Sequence, residues 1–208
     1  SAIIRDIAGK DAPVVLDPTL LLTADQWASM ADHPANYPKG GYILCYCISR
    51  PGALTPYLER LHQETGLPVV QLCGIRQKVY PKAKQIMDAG PAEFLGLFQN
   101  AAHVVTNSFH GTVFSVQFHR PFFTTVSPAE LSAPERSRTV SILSRLGLAN
   151  RVIGKGDTAE LLDPVDWEAA EAALTAARKD SLNYLQAALE DRPYAPEAPL
   201  SPRSFAPK

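Results

Sequence analysis

The sequence predicts an α/β fold: a parallel sheet with helices on both faces. Three observations carry this. Short apolar runs of strand length recur at residues 42–48, 69–72, 104–105 and 121–126. Stretches with helical spacing lie between them, joined by short connections, the mark of repeated βαβ units. The run Tyr42-Ile43-Leu44-Cys45-Tyr46-Cys47-Ile48 is apolar without alternation, as expected of a strand covered on both faces.

The elements follow in order. Val14-Val15-Leu16 begins a short apolar element that Asp17-Pro18 ends. Thr23-Ala24-Asp25-Gln26 is a capping-box pattern leading into Trp27, so a short helix starts there. Residues 31–41 are rich in Pro, Gly, Asn and Asp and read as a loop. Leu54, Leu58 and Leu61 share one helical face, and Gly66 stops that helix. Val69 to Leu72 is the next strand, and Pro91 to Ala101 is a helix with Pro in its first turn. Val104-Val105 is a strand and Gly111 to His119 a helix. Pro121 to Val126 is a further strand, and Thr139 to Leu146 is a helix ended by Gly147. Asp166 caps a long helix to Leu189, whose apolar content comes from Trp167, Leu174, Leu182, Leu185 and Leu189.

Bulk properties bound the rest. The chain has 208 residues, 46% hydrophobic and 20% charged, enough for one good-sized core over residues 1–190. Five of the eighteen prolines fall in residues 191–208, so that tail is expected to be extended or disordered. A net charge of -1 makes no electrostatic case for nucleic acid or an anionic membrane. No apolar run reaches the length of a membrane span, and the chain begins at Ser1 without Met, as a processed chain or fragment would. The three cysteines, Cys45, Cys47 and Cys73, lack CxxC spacing and read as small buried hydrophobes rather than a disulfide or zinc framework.

The junction from His103 to Phe118 is the richest segment. It reads as a buried strand, a polar turn and an apolar helix. Such a junction gathers free backbone N–H groups and a positive helix end at the carboxyl end of a strand, where ligands of parallel sheets collect. His110 sits at that helix start, where an imidazolium is disfavoured and a proton-accepting imidazole is expected. A capping or packing histidine is the bland alternative. Asn107 and Ser108 can donate to a ligand or cap the helix. Gly111 allows close approach of a ligand or of a neighbouring strand, and Thr112 offers a hydroxyl and an N–H. Glu93 can meet a ligand hydroxyl or favour its own helix dipole. Arg136 and Arg138 can clamp phosphate or carboxylate, or be solvated charges before a helix. Arg76 and Lys78 form a similar basic pair, and Asp17 can face a cleft or mark a plain turn.

Together these blocks resemble the polysaccharide pyruvyl transferase family. The residues that carry the resemblance are Val15 to Leu22 with Trp27, the strand at Tyr42 to Ile48, and Gly90-Pro91-Ala92-Glu93-Phe94-Leu95 followed by Thr106-Asn107-Ser108-Phe109-His110-Gly111-Thr112. Arg138, Leu146-Gly147-Leu148 and Arg151, then Trp167, Arg178, Ser181, Tyr184 and Leu185, continue it to about residue 190. The resemblance implies a Rossmann-like domain that forms one half of a GT-B two-domain fold, the carboxyl-terminal, donor-side half, with an amino-terminal domain missing. It implies transfer of pyruvate from phosphoenolpyruvate to two sugar hydroxyls of a cell-surface or exopolysaccharide precursor, forming a cyclic ketal. It further implies His110 as acid/base, with Asn107, Ser108, Gly111, Thr112, Glu93, Arg136 and Arg138 at the donor. Phosphoenolpyruvate is the donor substrate, and this logic requires neither metal nor cofactor. The acceptor would be a glycan or lipid-linked sugar, and the location cytoplasmic, with a peripheral position at the inner membrane face as an option.

One departure stands out. Several members carry Arg-Leu-His where this chain has Ser108-Phe109-His110. The missing cation would have to come from Arg136, Arg138, Arg76 or Lys78, or the donor would not be phosphoenolpyruvate. The rival readings are a GT-B glycosyltransferase using a nucleotide sugar and a non-catalytic glycan-binding module.

Overall fold

A computed structural model describes residues 2–10, 12–73, 76–154 and 160–194. Six strands form one sheet: β1 (Ile43–Cys47), β2 (Val69–Cys73), β3 (Lys84–Ile86), β4 (His103–Thr106), β5 (Phe122–Thr125) and β6 (Val152–Ile153). Their spatial order is β3-β2-β1-β4-β5-β6, and every pairing is parallel. The expected Rossmann-like α/β architecture is therefore present.

Eight α-helices accompany the sheet among the described residues: α1 (Ala2–Ala8), α2 (Ala24–Ala28), α3 (Thr55–Thr65), α4 (Pro91–Asn100), α5 (Phe109–Gln117), α6 (Pro128–Ser132), α7 (Arg138–Arg145) and α8 (Trp167–Leu189). The pleat of β1 explains its unbroken apolarity. Ile43, Cys45 and Cys47 point to the layer that holds Leu54, the N-cap of α3, with Leu58 and Leu61 of that helix. Leu44 points to the opposite layer, with Leu97 and Phe98 of α4, Phe114 of α5, Leu143 of α7 and Leu174 of α8.

Which layer a helix joins follows from handedness. From β1 the chain moves to β2 and β3, and from β3 it returns to β4, β5 and β6 on the other side of β1. Parallel crossovers are right-handed almost without exception, so links running in opposite directions lie on opposite faces. The link through α3 and the stretch holding Val79, Tyr80 and Ala83 cover one face, and α4, α5 and α7 cover the other. The direction reverses between β1 and β4. A crevice opens outside the carboxyl ends of strands at such a switch point.

Local signals placed most elements. Thr23 forms the expected capping box with Gln26, and Asp166 accepts from the Ala169 N–H at 3.0 Å. Gly66 ends α3 at φ 69°, a left-handed conformation that glycine adopts without strain. Three points differ from expectation. The apolar element at Val14-Val15-Leu16 is neither strand nor helix, and its Leu16 N–H donates to the Ser181 hydroxyl at 3.0 Å. Helix α5 starts at Phe109 rather than Gly111, because Ser108 takes the N-cap. Strands β3 and β6 and helices α1 and α6 were not expected. The tail from Asp191 lies mostly outside the described residues. Its first residues turn back on α8, where the Tyr194 hydroxyl donates to Asp180 at 2.6 Å.

Candidate active site

The carboxyl ends of β1 and β4 are tied together by Asn107. Its amide oxygen accepts from the Ile48 N–H at 2.9 Å, and its amide nitrogen donates to the Ser49 carbonyl. The same nitrogen lies 3.6 Å from Cys47 Sγ, and the Cys47 thiol donates to Ser49 O at 3.1 Å. Burial pushes the Cys47 thiol above its ordinary range, and these hydrogen bonds offset only part of that. Cys47 is thus a packed thiol, as expected. The Cys73 side chain lies outside the described residues.

The turn after β4 is built by its own side chains. Thr106 Oγ1 donates to Tyr46 O at 2.7 Å and accepts from the Ser108 N–H at 3.0 Å. Ser108 is buried and caps α5, its Oγ accepting from the Gly111 N–H at 3.3 Å. Thr112 sends both its N–H and its hydroxyl to Ser108 O, at 2.9 and 3.0 Å. The N–H groups of Gly111 and Thr112, expected to meet anionic oxygens, are therefore committed inside the turn. Among the described residues the N–H groups of Phe109 and His110 carry no hydrogen bond, as helix geometry leaves them at the first turn.

Gly111 has a packing reason. A Cβ there would lie 2.4 Å from Thr106 Oγ1 and 3.1 Å from the Tyr46 ring. The close approach is to the neighbouring strands, the second of the two options its sequence position allowed.

His110 projects outward, 48% exposed, with Nε2 4.0 Å from Asp17 Oδ1. Asp17 is not a plain turn residue. It caps the 3-10 turn Pro18–Leu20 by accepting from the Thr19 N–H at 3.0 Å and the Thr19 hydroxyl at 2.6 Å. The segment carrying it is held from behind. Gln117 Nε2 donates to Thr19 O at 2.9 Å and Leu22 O at 2.7 Å, and Arg178 Nε donates to Leu20 O at 2.8 Å. Trp27 Nε1 adds a bond to Thr19 O at 2.9 Å. Helices α5 and α8 thereby fix a carboxylate beside a histidine more than ninety residues away in sequence.

Asp17 opens onto a groove of about 250 Å³ between residues 14–17, the start of α5 and one face of α7. Arg138, Ser141, Ile142 and Arg145 supply the α7 side, at the i, i+3, i+4 and i+7 positions of one helical face. The Arg138 guanidinium lies 4.2 Å over the Phe109 ring, a cation–π contact that holds it at the groove wall. Arg145 was not anticipated. A lone charge on an amphipathic helix looks solvated until the fold brings residues 14–16 opposite it.

The N-cap of α7 is itself braced. Glu130 accepts from the Ser127 N–H at 2.9 Å, the Ser127 hydroxyl at 2.8 Å and the Ser137 hydroxyl at 2.9 Å. Burial pushes the Glu130 carboxyl up, but the Ser127 and Ser137 hydrogen bonds and the charge of Arg50 outweigh it and hold it below the usual value. Ser137 in turn caps α7 through the Val140 N–H at 3.3 Å.

The strand-rich part of the chain, with Asp17, Glu93 and the whole turn 106–112 in place, decides the family: the polysaccharide pyruvyl transferase profile matches residues 2–127. The chain belongs to the polysaccharide pyruvyl transferase family. That is a family of transferases, and membership supports a pyruvyl-transfer role in polysaccharide modification. No curated protein and no solved structure matches the chain.

Within this family frame the other expected donor residues fall as follows. Glu93 is in the first turn of α4, its carboxylate folded over Gly90, with no hydrogen bond or ion pair to His110, Asp17 or Arg138. Arg136 is exposed on the 3-10 turn Pro134–Arg136 and does not line the groove. Arg76 and Lys78 lie in the β2–β3 connection, beyond β1 from the turn, and also do not line the groove. Among the described residues no helix is long and apolar enough to cross a membrane.

Proposed function

We propose that the chain is the donor-binding half of a pyruvyl transferase, moving pyruvate from phosphoenolpyruvate to two hydroxyls of a glycan or lipid-linked sugar precursor of a surface polysaccharide. The observation that carries this is His110, exposed at the switch-point edge with Asp17 at 4.0 Å and the Arg138 groove beside it.

The reaction asks for those groups. His110 gives a proton to the methylene carbon of the enol, and the adjacent carbon becomes oxocarbenium-like. The first sugar hydroxyl bonds to that carbon and passes its proton to the now neutral imidazole. The carbon–oxygen bond to phosphate then breaks, the electron pair leaving with phosphate. The second hydroxyl closes the ketal, its proton departing with the phosphate. An imidazole can give a proton and take it back; the helix start opposes the charged form that donates, and Asp17 is placed to orient the ring and to pair with that form. Arg138 and the open N–H groups of Phe109 and His110 complement donor charge, while Asn107, Ser108, Gly111 and Thr112 build the turn that aims them.

The GT-B half-molecule reading belongs to this proposal. Leu182, Leu185 and Leu189 on α8 stay 46%, 38% and 88% exposed, an apolar face suited to the second domain. A cytoplasmic location is part of the same proposal, since phosphoenolpyruvate is the donor. The test is phosphate release from phosphoenolpyruvate by the intact enzyme with a saccharide acceptor, with ketal formation read by mass spectrometry. Acceptor-dependent release supports the reading. Transfer from a UDP- or GDP-sugar with no phosphate release from phosphoenolpyruvate would sink it in favour of a glycosyltransferase.

A further inference from the structure

We propose that the groove between residues 14–17 and α7 is the site of a small phosphorylated carboxylate, with Arg138 and Arg145 as the two cations that take its two charged ends. Arg145 would then be a binding residue, and the pair would supply the cation that Ser108 does not. The proposal rests on the transferase reading for the identity of the donor, but not for the existence of the site.

Four observations on this groove converge. Arg138 and Arg145 are two turns apart on one face of α7, with Ser141 between them, and all three line the same concavity. Helix geometry separates their Cα atoms by about 10 Å along the axis, so two long side chains can approach a bound molecule from either end. Neither arginine has a carboxylate within ion-pair distance among the described residues. Arginines facing a cleft without an acidic partner leave planar N–H edges for carboxylate or phosphate oxygens.

The remaining wall fixes the ligand class. Val14, Val15 and Leu16 make the opposite side apolar, which suits a methylene or methyl carbon. Among the described residues Asp17 is the one carboxylate lining the groove, and its Oδ1 is already occupied by two donors from Thr19 and faces His110. Two guanidiniums against one carboxylate make the described lining net positive. The groove's volume of about 250 Å³, against roughly 300–1,000 Å³ for the sites of drug-sized ligands, is on the scale of a three-carbon phosphate. A ligand spanning the arginines would lie beside Asp17; His110 is not itself a lining residue but has its Nε2 4.0 Å from Asp17 Oδ1.

Titration calorimetry of the full chain with phosphoenolpyruvate, inorganic phosphate and pyruvate tests this, using wild type, Arg145→Gln, Arg138→Gln and Arg145→Lys. Wild type is expected to prefer phosphoenolpyruvate over either single-anion probe. Each glutamine variant should weaken it about 10- to 100-fold, the loss of one charge-assisted contact, and Arg145→Lys should recover part of that. Both side chains are at the surface, and unchanged thermal melts establish that the variants fold. Wild-type affinity in Arg145→Gln overturns the proposal even if the enzyme turns over phosphoenolpyruvate. Absence of saturable binding of all three probes to wild type overturns it as well. If phosphate binds as tightly as phosphoenolpyruvate and Arg145→Gln abolishes both, the anion groove stands and the donor reading falls.

Discussion

Replacing Gly111 by alanine separates two roles for a glycine at the heart of the turn. In a helix interior the change alone gains about 1 kcal/mol, since alanine is the better helix former. Here the new Cβ would sit 2.4 Å from Thr106 Oγ1 and 3.1 Å from both Thr106 Cβ and the Tyr46 ring, against strands that cannot move without disturbing the sheet. Thr106 Oγ1 must shift, and its bonds to Tyr46 O at 2.7 Å and from the Ser108 N–H at 3.0 Å weaken or break. Each lost buried hydrogen bond costs about 1 kcal/mol, and overpacking adds about 1–3 kcal/mol. Steric cost outweighs propensity, and the net loss is about 2–4 kcal/mol. For a domain of this size that lowers the midpoint of thermal unfolding by roughly 4–16 °C. Urea unfolding of Gly111→Ala, Thr106→Ala and the double variant reads it. The double variant should be less unstable than the sum, because Thr106→Ala removes the atom that the new methyl meets. A Gly111→Ala protein as stable as wild type would refute the close-packing account and return Gly111 to ligand approach.

Two further outcomes follow from the bracing of the site. Glu130 is held below its ordinary value of 4.5, so its contribution to stability is present above that value and fades as pH falls through the lower folded one. The urea midpoint of Glu130→Gln should therefore trail wild type near neutral pH and converge with it in acid; a gap that widens in acid would contradict the assignment. Gln117→Ala leaves the Leu22 carbonyl without its side-chain donor and the Thr19 carbonyl with Trp27 alone, and should cost about 1–3 kcal/mol in chemical denaturation. It should also loosen the turn that holds Asp17, so turnover falls further than the stability loss alone would reduce it at permissive temperature.

The sheet was legible because its central strands are buried on both faces and read as apolar runs. Strand β3 was not, since Lys84, Gln85 and Ile86 lie at the sheet edge with only Ile86 buried. Strand β6 is two residues long and has no periodicity to read. Helix α5 starts two residues before the position its sequence suggests: Ser108 and Asn107 are both good caps, and only the structure sends Asn107 to β1. Likewise His110 and Asp17 were each visible as candidates, while their pairing was not. The Asp17 turn is held by Gln117, Arg178 and Ser181, contacts spanning 95 to 165 residues that no local pattern encodes. Arg145 stayed hidden for the same reason: its significance depends on residues 14–16 lying opposite.

The central claim is that His110 moves the proton in pyruvyl transfer. Its most direct test is the ketal-forming rate of His110→Ala in the intact enzyme with phosphoenolpyruvate and acceptor. The side chain is exposed, so the fold should survive. Turnover is predicted to fall about 10²- to 10⁴-fold, the usual contribution of a positioned acid/base. Wild-type turnover in His110→Ala would contradict the account.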